Sequence, residues 1–299
     1  MPMPNLNIYQ EEFHPSPLVQ TWFEFRKSHI AVLGMWLLAF FVAMVIVGPI
    51  IAPFDPLLQN PNAFLVKPAW DVSGSIRHLF GTDSLGRDLL SRLIYGCRIT
   101  LGISFLLVLL SMLVGVTLGA IAGMTHGVRA SVLNHLLDSI MAVPTLLIAI
   151  VIVGILGIGL VNTMWAISLA LIPQFVHNTR EVVRAEMQKE YVLASKLDGA
   201  KNFHLFFYCI LPNMYEMLVV QGTMALSIAI LDISALGFIG LGAQPPSPEL
   251  GVMLSEGLKE AYKSPWLIAL PGSAIFLMVL SVNVVGDGLR SALRNRLSS

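Results

Sequence analysis

The sequence predicts an all-α, polytopic membrane protein with six transmembrane helices, on two observations. The 299-residue chain is 56% hydrophobic and only 12% charged, with a mean hydropathy of +0.76, far more apolar than an ordinary soluble domain. Six long apolar runs then divide it into spans and connecting segments. The formal net charge is zero, which leaves no electrostatic case for nucleic-acid binding. The two cysteines, Cys97 and Cys209, fall on opposite sides of the predicted membrane, which excludes a disulfide framework.

The first 28 residues hold Glu11, Glu12 and the prolines Pro2, Pro4, Pro15 and Pro17, so they do not read as a cleaved leader. Trp22 to Lys27 reads as a short interfacial helix leading into the membrane. The first span runs from about Ile30 to Ile51 without a charge. Roughly 22 residues at a ~1.5 Å rise reach about 33 Å, enough for a ~30 Å hydrocarbon core. A polar segment follows, from Pro53 to Arg98. Within it the run Gly81 to Arg92 predicts an amphipathic helix at the membrane face. Asp88 and Arg92 stand at i,i+4, with Leu85, Leu89, Leu93 and Ile94 on the apolar side.

Span two, about Ile99 to Gly123, carries Ser111, Gly115, Gly119 and Gly123 at four-residue spacing. Such a ridge lets another helix backbone approach closely, within the chain or from another subunit. Span three, about Leu136 to Ile158, contains Asp138 and Pro144, and span four, about Asn162 to Val176, contains Pro173. Each proline removes a backbone hydrogen bond and predicts a kink, which either lines a cavity or is purely structural. Span five starts at Pro212, a good first-turn residue, and ends near Gly242. Asp232 lies inside its apolar run. An ionised aspartate at mid-membrane costs ~2.5–3.5 kcal/mol, so it must face the bundle interior or water. A place on a solute pathway and a structural role, held by Ser227, Ser234 or backbone, both remain open. The loop beyond is stiffened by Pro245, Pro246 and Pro248. Span six runs from about Pro265 to Val285.

Between spans four and five lies a charged, amphipathic stretch that needs a reason to be there. Val183, Met187, Tyr191, Ala194 and Leu197 recur at spacings of three and four, which predicts one helical face. Gly199 supplies the residue that can take positive φ and stop that helix. Asn202 caps a second short helix carrying Phe203, Phe206 and Phe207. The stretch reads as a bent finger with a small-residue tip and an aromatic base, or as an ordinary amphipathic loop.

Six spans place both termini on one side. That side, with the finger, holds eleven Lys and Arg residues against seven on the other, which predicts that it is cytoplasmic. No catalytic, metal-binding or phosphate-binding motif is present: no H-E-x-x-H, no G-x-S-x-G and no G-x-x-x-x-G-K-[ST]. A membrane bundle with a docking finger and no engine points to an engine on another chain.

At these residues the sequence resembles the permease subunits of ABC importers. Their cytoplasmic loop reads E-A-A, three residues, Gly, nine residues, I-x-L-P. Ala194-Ser195 stand for the two alanines, Gly199 for the glycine and Leu211-Pro212 for the final pair, while Leu193, Ser195 and Cys209 depart from the pattern. Gly81-Thr82-Asp83, Gly86-Arg87-Asp88, Ile230-Leu231-Asp232, Leu236-Gly237-Phe238 and Gly242 to Glu249 are similar to the dipeptide/oligopeptide/nickel branch. Thr125 to Arg129, Val132 to His135 and Lys189-Glu190-Tyr191 look most like its Sap-type peptide permease subunit.

The resemblance implies the type I ABC importer permease fold. It implies a tail at 1–28, a transmembrane permease domain at 29–290 and a tail at 291–299. Both tails and a coupling loop at 178–211 would be cytoplasmic, and loops 53–98 and 243–264 periplasmic, in a bacterial inner membrane. Glu190, Tyr191, Ala194, Ser195, Gly199, Ala200, Leu211 and Pro212 would form the coupling loop. Asp138, Pro144, Asp232 and Gly237 are candidates for the translocation pathway. The partners implied are a second, homologous permease, two ATP-binding subunits that carry the ATP, a periplasmic substrate-binding protein and membrane lipid. The chain itself would hold no cofactor or metal. The competing class is a self-contained secondary transporter or channel using Asp138 and Asp232 as ion or proton sites.

Overall fold

The computed structural model describes residues 16–125 and 128–298; His126, Gly127 and residues 1–15, Asn5 among them, lie outside these. Among the described residues there is no strand, only an isolated bridge between Thr82 and Asp88. Helix α1 (Pro17–Lys27) opens on a proline and buries Thr21 and Phe25 while Trp22 and Phe23 face outward. Helix α2 (His29–Ile51) is the first span; the Ser28 hydroxyl accepts the Ala31 N–H at 3.3 Å and caps it.

The segment 52–88 does not form the predicted amphipathic helix. Gly81 and Gly86 take φ of +81° and +74°, and an added Cβ at Gly86 would fall on the Asn60 carbonyl. The run is a tight loop pinned by Thr82, whose N–H donates to the Val66 carbonyl at 3.0 Å. Asp88 caps helix α3 (Leu89–Met124), accepting the Ser91 N–H at 2.8 Å. Leu89, Leu93 and Ile94 are buried in the start of this span instead of lying on a membrane face. The expected Asp88–Arg92 pair does not form: Asp88 meets His78 at 2.9 Å, and Arg92 reaches Glu256 at 2.7 Å.

Span three is a broken pair rather than one kinked helix. Helix α4 (Val128–Met141) and helix α5 (Thr145–Leu156) meet at 90°, with Pro144 as the N-cap of α5. Proline disfavours helical geometry in the residue before it, so the chain breaks there. Helix α6 (Leu160–Glu186) runs well beyond the expected end at Val176 and keeps Pro173 within one continuous helix. After it come α7 (Glu190–Leu197), α8 (Asn202–His204), a π-helical turn (Leu205–Ile210) and α9 (Leu211–Phe238). Helix α10 (Leu250–Leu258), which the proline-rich loop had concealed, precedes α11 (Trp266–Ser298). Five helices of the described residues are long and apolar enough to span a membrane, and the bent α4–α5 pair makes six if counted as one span.

The small-residue ridge of α3 packs against α6. An added Cβ at Gly119 would lie 2.7 Å from Thr179 Cβ, and one at Gly123 2.8 Å from Val183 Cβ, while at Gly115 it would strike Phe175. The Ser111 hydroxyl donates to the Ser168 carbonyl at 3.2 Å. The close contact is therefore within the chain, and it holds the first half of the bundle together. Helices α2 and α11 close the other side, with Gly34 against Val284 and Gly288 against Ala31.

Candidate functional site

The finger is built from the end of α6, the short α7, a glycine turn and the entry to α9. The predicted single face is split. Val183 and Met187 are buried, but the chain leaves helical geometry at Gln188 and Lys189, so Tyr191, Ala194 and Leu197 belong to a separate helix and are exposed. What α7 buries is Val192, 0% exposed, which packs among Val183, Met187, Leu205, Ile210 and Met214. Burying one valine side chain yields about 1.5–3 kcal/mol, little for a helix that turns most of its surface outward.

Gly199 has φ of +86°, as expected of a helix stop, and the Ala200 N–H bonds the Ser195 carbonyl at 3.1 Å to close the turn. No atom lies within 4 Å of a Cβ placed there, so the glycine is required by backbone conformation and not by crowding. Asn202 does not cap the next helix; Lys201 holds that position and Asn202 is the first helical residue. Phe203 and Phe207 meet at 4.4 Å between centroids, their rings tilted by 42°, and stay exposed, so the aromatic base is present. Pro212 sits in the first turn of α9, exposed, with Leu211 half-buried beside it. Glu190 opens α7 as an exposed acidic first-turn residue, favourable to the helix dipole. Ala194 is exposed, and Ser195 and Ala200 are half-buried; the Ser195 hydroxyl lies 3.9 Å from Cys209 Sγ.

A polar knot missed by sequence reasoning ties the finger down. Glu186, at the end of α6 and buried, accepts from the Tyr191 hydroxyl and from Lys189 Nζ at 2.5 Å. Asn213, in the first turn of α9, donates Nδ2–H to the Tyr191 oxygen at 2.9 Å and to the Cys209 carbonyl at 2.8 Å. Burial and the neighbouring carboxylate push the Tyr191 phenol up to about 12, so it stays protonated and keeps its donor. The sequence signal was slight: an acid at the end of a span, five residues before a tyrosine.

The pathway candidates do not converge. Asp138 is exposed on α4 and faces His177 at 3.5 Å, with Glu181 on the far side of that imidazole at 3.3 Å. Asp232 is buried in α9 and accepts from the Thr145 hydroxyl at 3.1 Å, directly after the Pro144 break. Neither expected serine serves it: Ser227 bonds Asn283 at 2.6 Å, and Ser234 Oγ is buried without a partner. Pro144 and Pro173, the two predicted kink residues, line one hollow of about 260 Å³ together with Thr145 and Gln174. Gly237 lies elsewhere, where an added Cβ would strike the Glu249 carboxylate. A larger cleft of about 610 Å³ opens between α6, α9 and α11, lined by Gln174, Asn178, Glu181, Glu216, Gln221 and Arg290 among others.

The opposite end of the bundle is held by charge. Arg87 and Arg92, each 1% exposed at the side chain, share the Glu256 carboxylate at 2.9 and 2.7 Å, and Arg87 Nε reaches Asp83 at 2.6 Å. Glu249 caps α10, accepting from the Val252 N–H at 3.0 Å and the Thr100 hydroxyl at 2.9 Å. Burial pushes its carboxyl above the usual range, against the pull of those donors.

Comparison with known proteins places the chain. Residues 115–299, more than half of it, match the family described as the binding-protein-dependent transport system inner membrane component, and residues 16–68 match the N-terminal TM domain of oligopeptide transport permease C. It is 43% identical over 291 residues, 97% of this chain and 98% of the relative, to the peptide transport system permease protein SapC of Escherichia coli O6:H1. It is 43% identical to the di/tripeptide transport system permease protein DppC of Pseudomonas aeruginosa, across 96% of this chain and 94% of that one. The dipeptide transport system permease protein DppC of Haemophilus influenzae is 44% identical, across 94% and 96%. The chain therefore belongs to the inner membrane component family of binding-protein-dependent transport systems, ABC transporter permeases that are transport components and not enzymes.

Proposed function

We propose that this chain is the membrane-spanning subunit of an ATP-driven transporter for peptides or related small solutes. It works beside a second, homologous permease, two ATP-binding subunits that carry the nucleotide, and a periplasmic substrate-binding protein. The finger at 178–211 is the element that docks on an ATP-binding subunit. The observation that carries this reading is α7 itself. It is anchored on one side by Val192 and Tyr191, yet it presents Leu193, Ala194 and the 89%-exposed Leu197 to whatever lies beyond. An exposed apolar tip on a short, stiff turn calls for a protein partner.

The finger side, with both termini, is cytoplasmic, and the loops 53–98 and 243–264 are periplasmic, in a bacterial inner membrane. The charge asymmetry along the chain supports this sidedness. The hollow at the Pro144 break, with Thr145 and Asp232 beside it, is the stretch of pathway contributed by this chain. Peptides in the names of the relatives support the substrate class. Asp138 and Asp232 have separate partners, which gives no support to a proton relay running between them within this chain.

Co-purification tests the proposal. Tagged chain expressed with its neighbouring genes should bring ATP-binding subunits with it, and the chain purifying alone would contradict the docking role. Sidedness is tested by an impermeant thiol reagent in intact cells on a cysteine-free background. Asp71→Cys should label and Asn5→Cys should not; the reverse pattern overturns the orientation.

A further inference from the structure

The geometry points to Tyr191 as the positioning residue that fastens α7 to both flanking spans, so that a displacement of α7 moves α6 and α9 together. The inference rests on reading the finger as the docking element and adds the part that transmits its motion. A phenol oxygen offers one donor and two acceptor positions. Here the donor goes to Glu186, the last residue of α6, and an acceptor position takes the Asn213 amide of α9 at 2.9 Å. A single side-chain atom on α7 thus touches the end of one span and the start of the next.

The other contacts of α7 are weaker or non-directional; Ser195 meets only Cys209 Sγ, at 3.9 Å. The other buried anchor of α7 is Val192, a non-directional apolar contact about which a short helix can rotate. The linkers at Met187–Lys189 and Asp198–Lys201 fix the ends of α7 but not its roll. Asn213 is itself held, since the same amide donates to the Cys209 carbonyl at 2.8 Å in the π-helical turn. Glu186 is likewise fixed, by Lys189 at 2.5 Å. The phenol therefore joins two groups that each make a second bond of their own, and removing its oxygen severs both ties while leaving the ring in place.

The test uses the whole transporter with spin labels at Lys196→Cys on α7 and Val219→Cys on α9, in a background lacking Cys97 and Cys209. The distance distribution is read without nucleotide and with a non-hydrolysable ATP analogue. With Tyr191 intact it should be narrow and should keep its width when nucleotide is added. Tyr191→Phe should raise the displaced population of α7 at least about tenfold, the weight of the charge-assisted bond to Glu186 alone. ATP-binding subunits should remain bound at their normal ratio. Glu186→Gln, which retains an acceptor, should preserve the narrow distribution, and Glu186→Ala should not. An unchanged distribution in Tyr191→Phe in both conditions overturns the inference. Failure of the docking reading would appear separately, as absence of ATP-binding subunits from the Tyr191 complex, and the nucleotide-free distribution would still decide the role of Tyr191.

Discussion

The two ends of this bundle are finished differently. At the α10 end, loop 81–88, the start of α3 and α10 are locked by buried polar pairs: Arg87 and Arg92 on Glu256 and Asp83, His78 on Asp88, Glu249 on Thr100. Glycines let backbones touch there, as where Gly251 would strike the Ser234 carbonyl if it bore a Cβ. At the α7 end one small helix is held chiefly by one valine and one phenol, with Leu193, Leu197, Phe203 and Tyr208 exposed. The first end makes its ties within the chain. The second leaves an apolar surface facing outward, which the proposed docking covers with an ATP-binding subunit. Motion is expected where ties are few and exposed, and rigidity where polar groups are buried and paired.

The comparison breaks first if the charged end can lose a member without consequence. Glu256→Ala would leave two buried guanidinium groups short of a carboxylate, at a cost on the order of 3–5 kcal/mol. The purified protein should lose thermal stability and its level in the membrane should fall. A wild-type melting temperature would show that the α10 end is not the rigid one. Next in size is Gly119→Val on the α3–α6 seam, where extra methyl groups meet Thr179; overpacking of this kind costs about 1–3 kcal/mol. Thermal unfolding should again report it, and Gly102→Val, which has no atom within 4 Å of its Cβ site, should be far milder.

Smaller stability effects sharpen the picture. Asp232→Asn retains an acceptor for Thr145 and should change stability by less than about 1 kcal/mol. If the hollow at the α4–α5 break is on the pathway, uptake should fall while assembly is unchanged; normal uptake with normal assembly removes Asp232 from it. Glu249→Gln should be the mildest. Its amide oxygen can accept the Val252 N–H and its NH2 can turn to donate to the Thr100 hydroxyl oxygen, and burial already raises the wild-type carboxyl above its usual range. Glu249→Ala, by contrast, deletes a helix cap worth about 1 kcal/mol.

Much of this was legible along the chain. The spans follow from composition, and the α3 ridge from spacing alone. Gly199 was legible because positive φ is a local steric matter that few residues besides glycine tolerate. The failures are equally physical. Pro144 was read as a kink within one span, yet the chain turns through 90° there, because packing of α5 against α6 rewards a full break. Helix α10 hid behind three prolines, although Glu249 stands where a cap belongs. Glu256 lies in another segment from Arg87 and Arg92, so no periodicity links them and only the folded chain brings them together. The knot at Tyr191 draws on α6, α7 and α9 at once and left no pattern in any of them.

The central claim is that the exposed finger docks on an ATP-binding subunit, and Gly199→Glu tests it most directly. A side chain at φ +86° costs about 1 kcal/mol or more, and a glutamate adds bulk and charge at a tip read as a contact surface. The finger lies outside the apolar spans, so the variant should reach the membrane at its normal level. It should lose ATP-binding subunits on purification and lose substrate uptake in the same cells. Full retention of both, at a normal membrane level, would contradict the account.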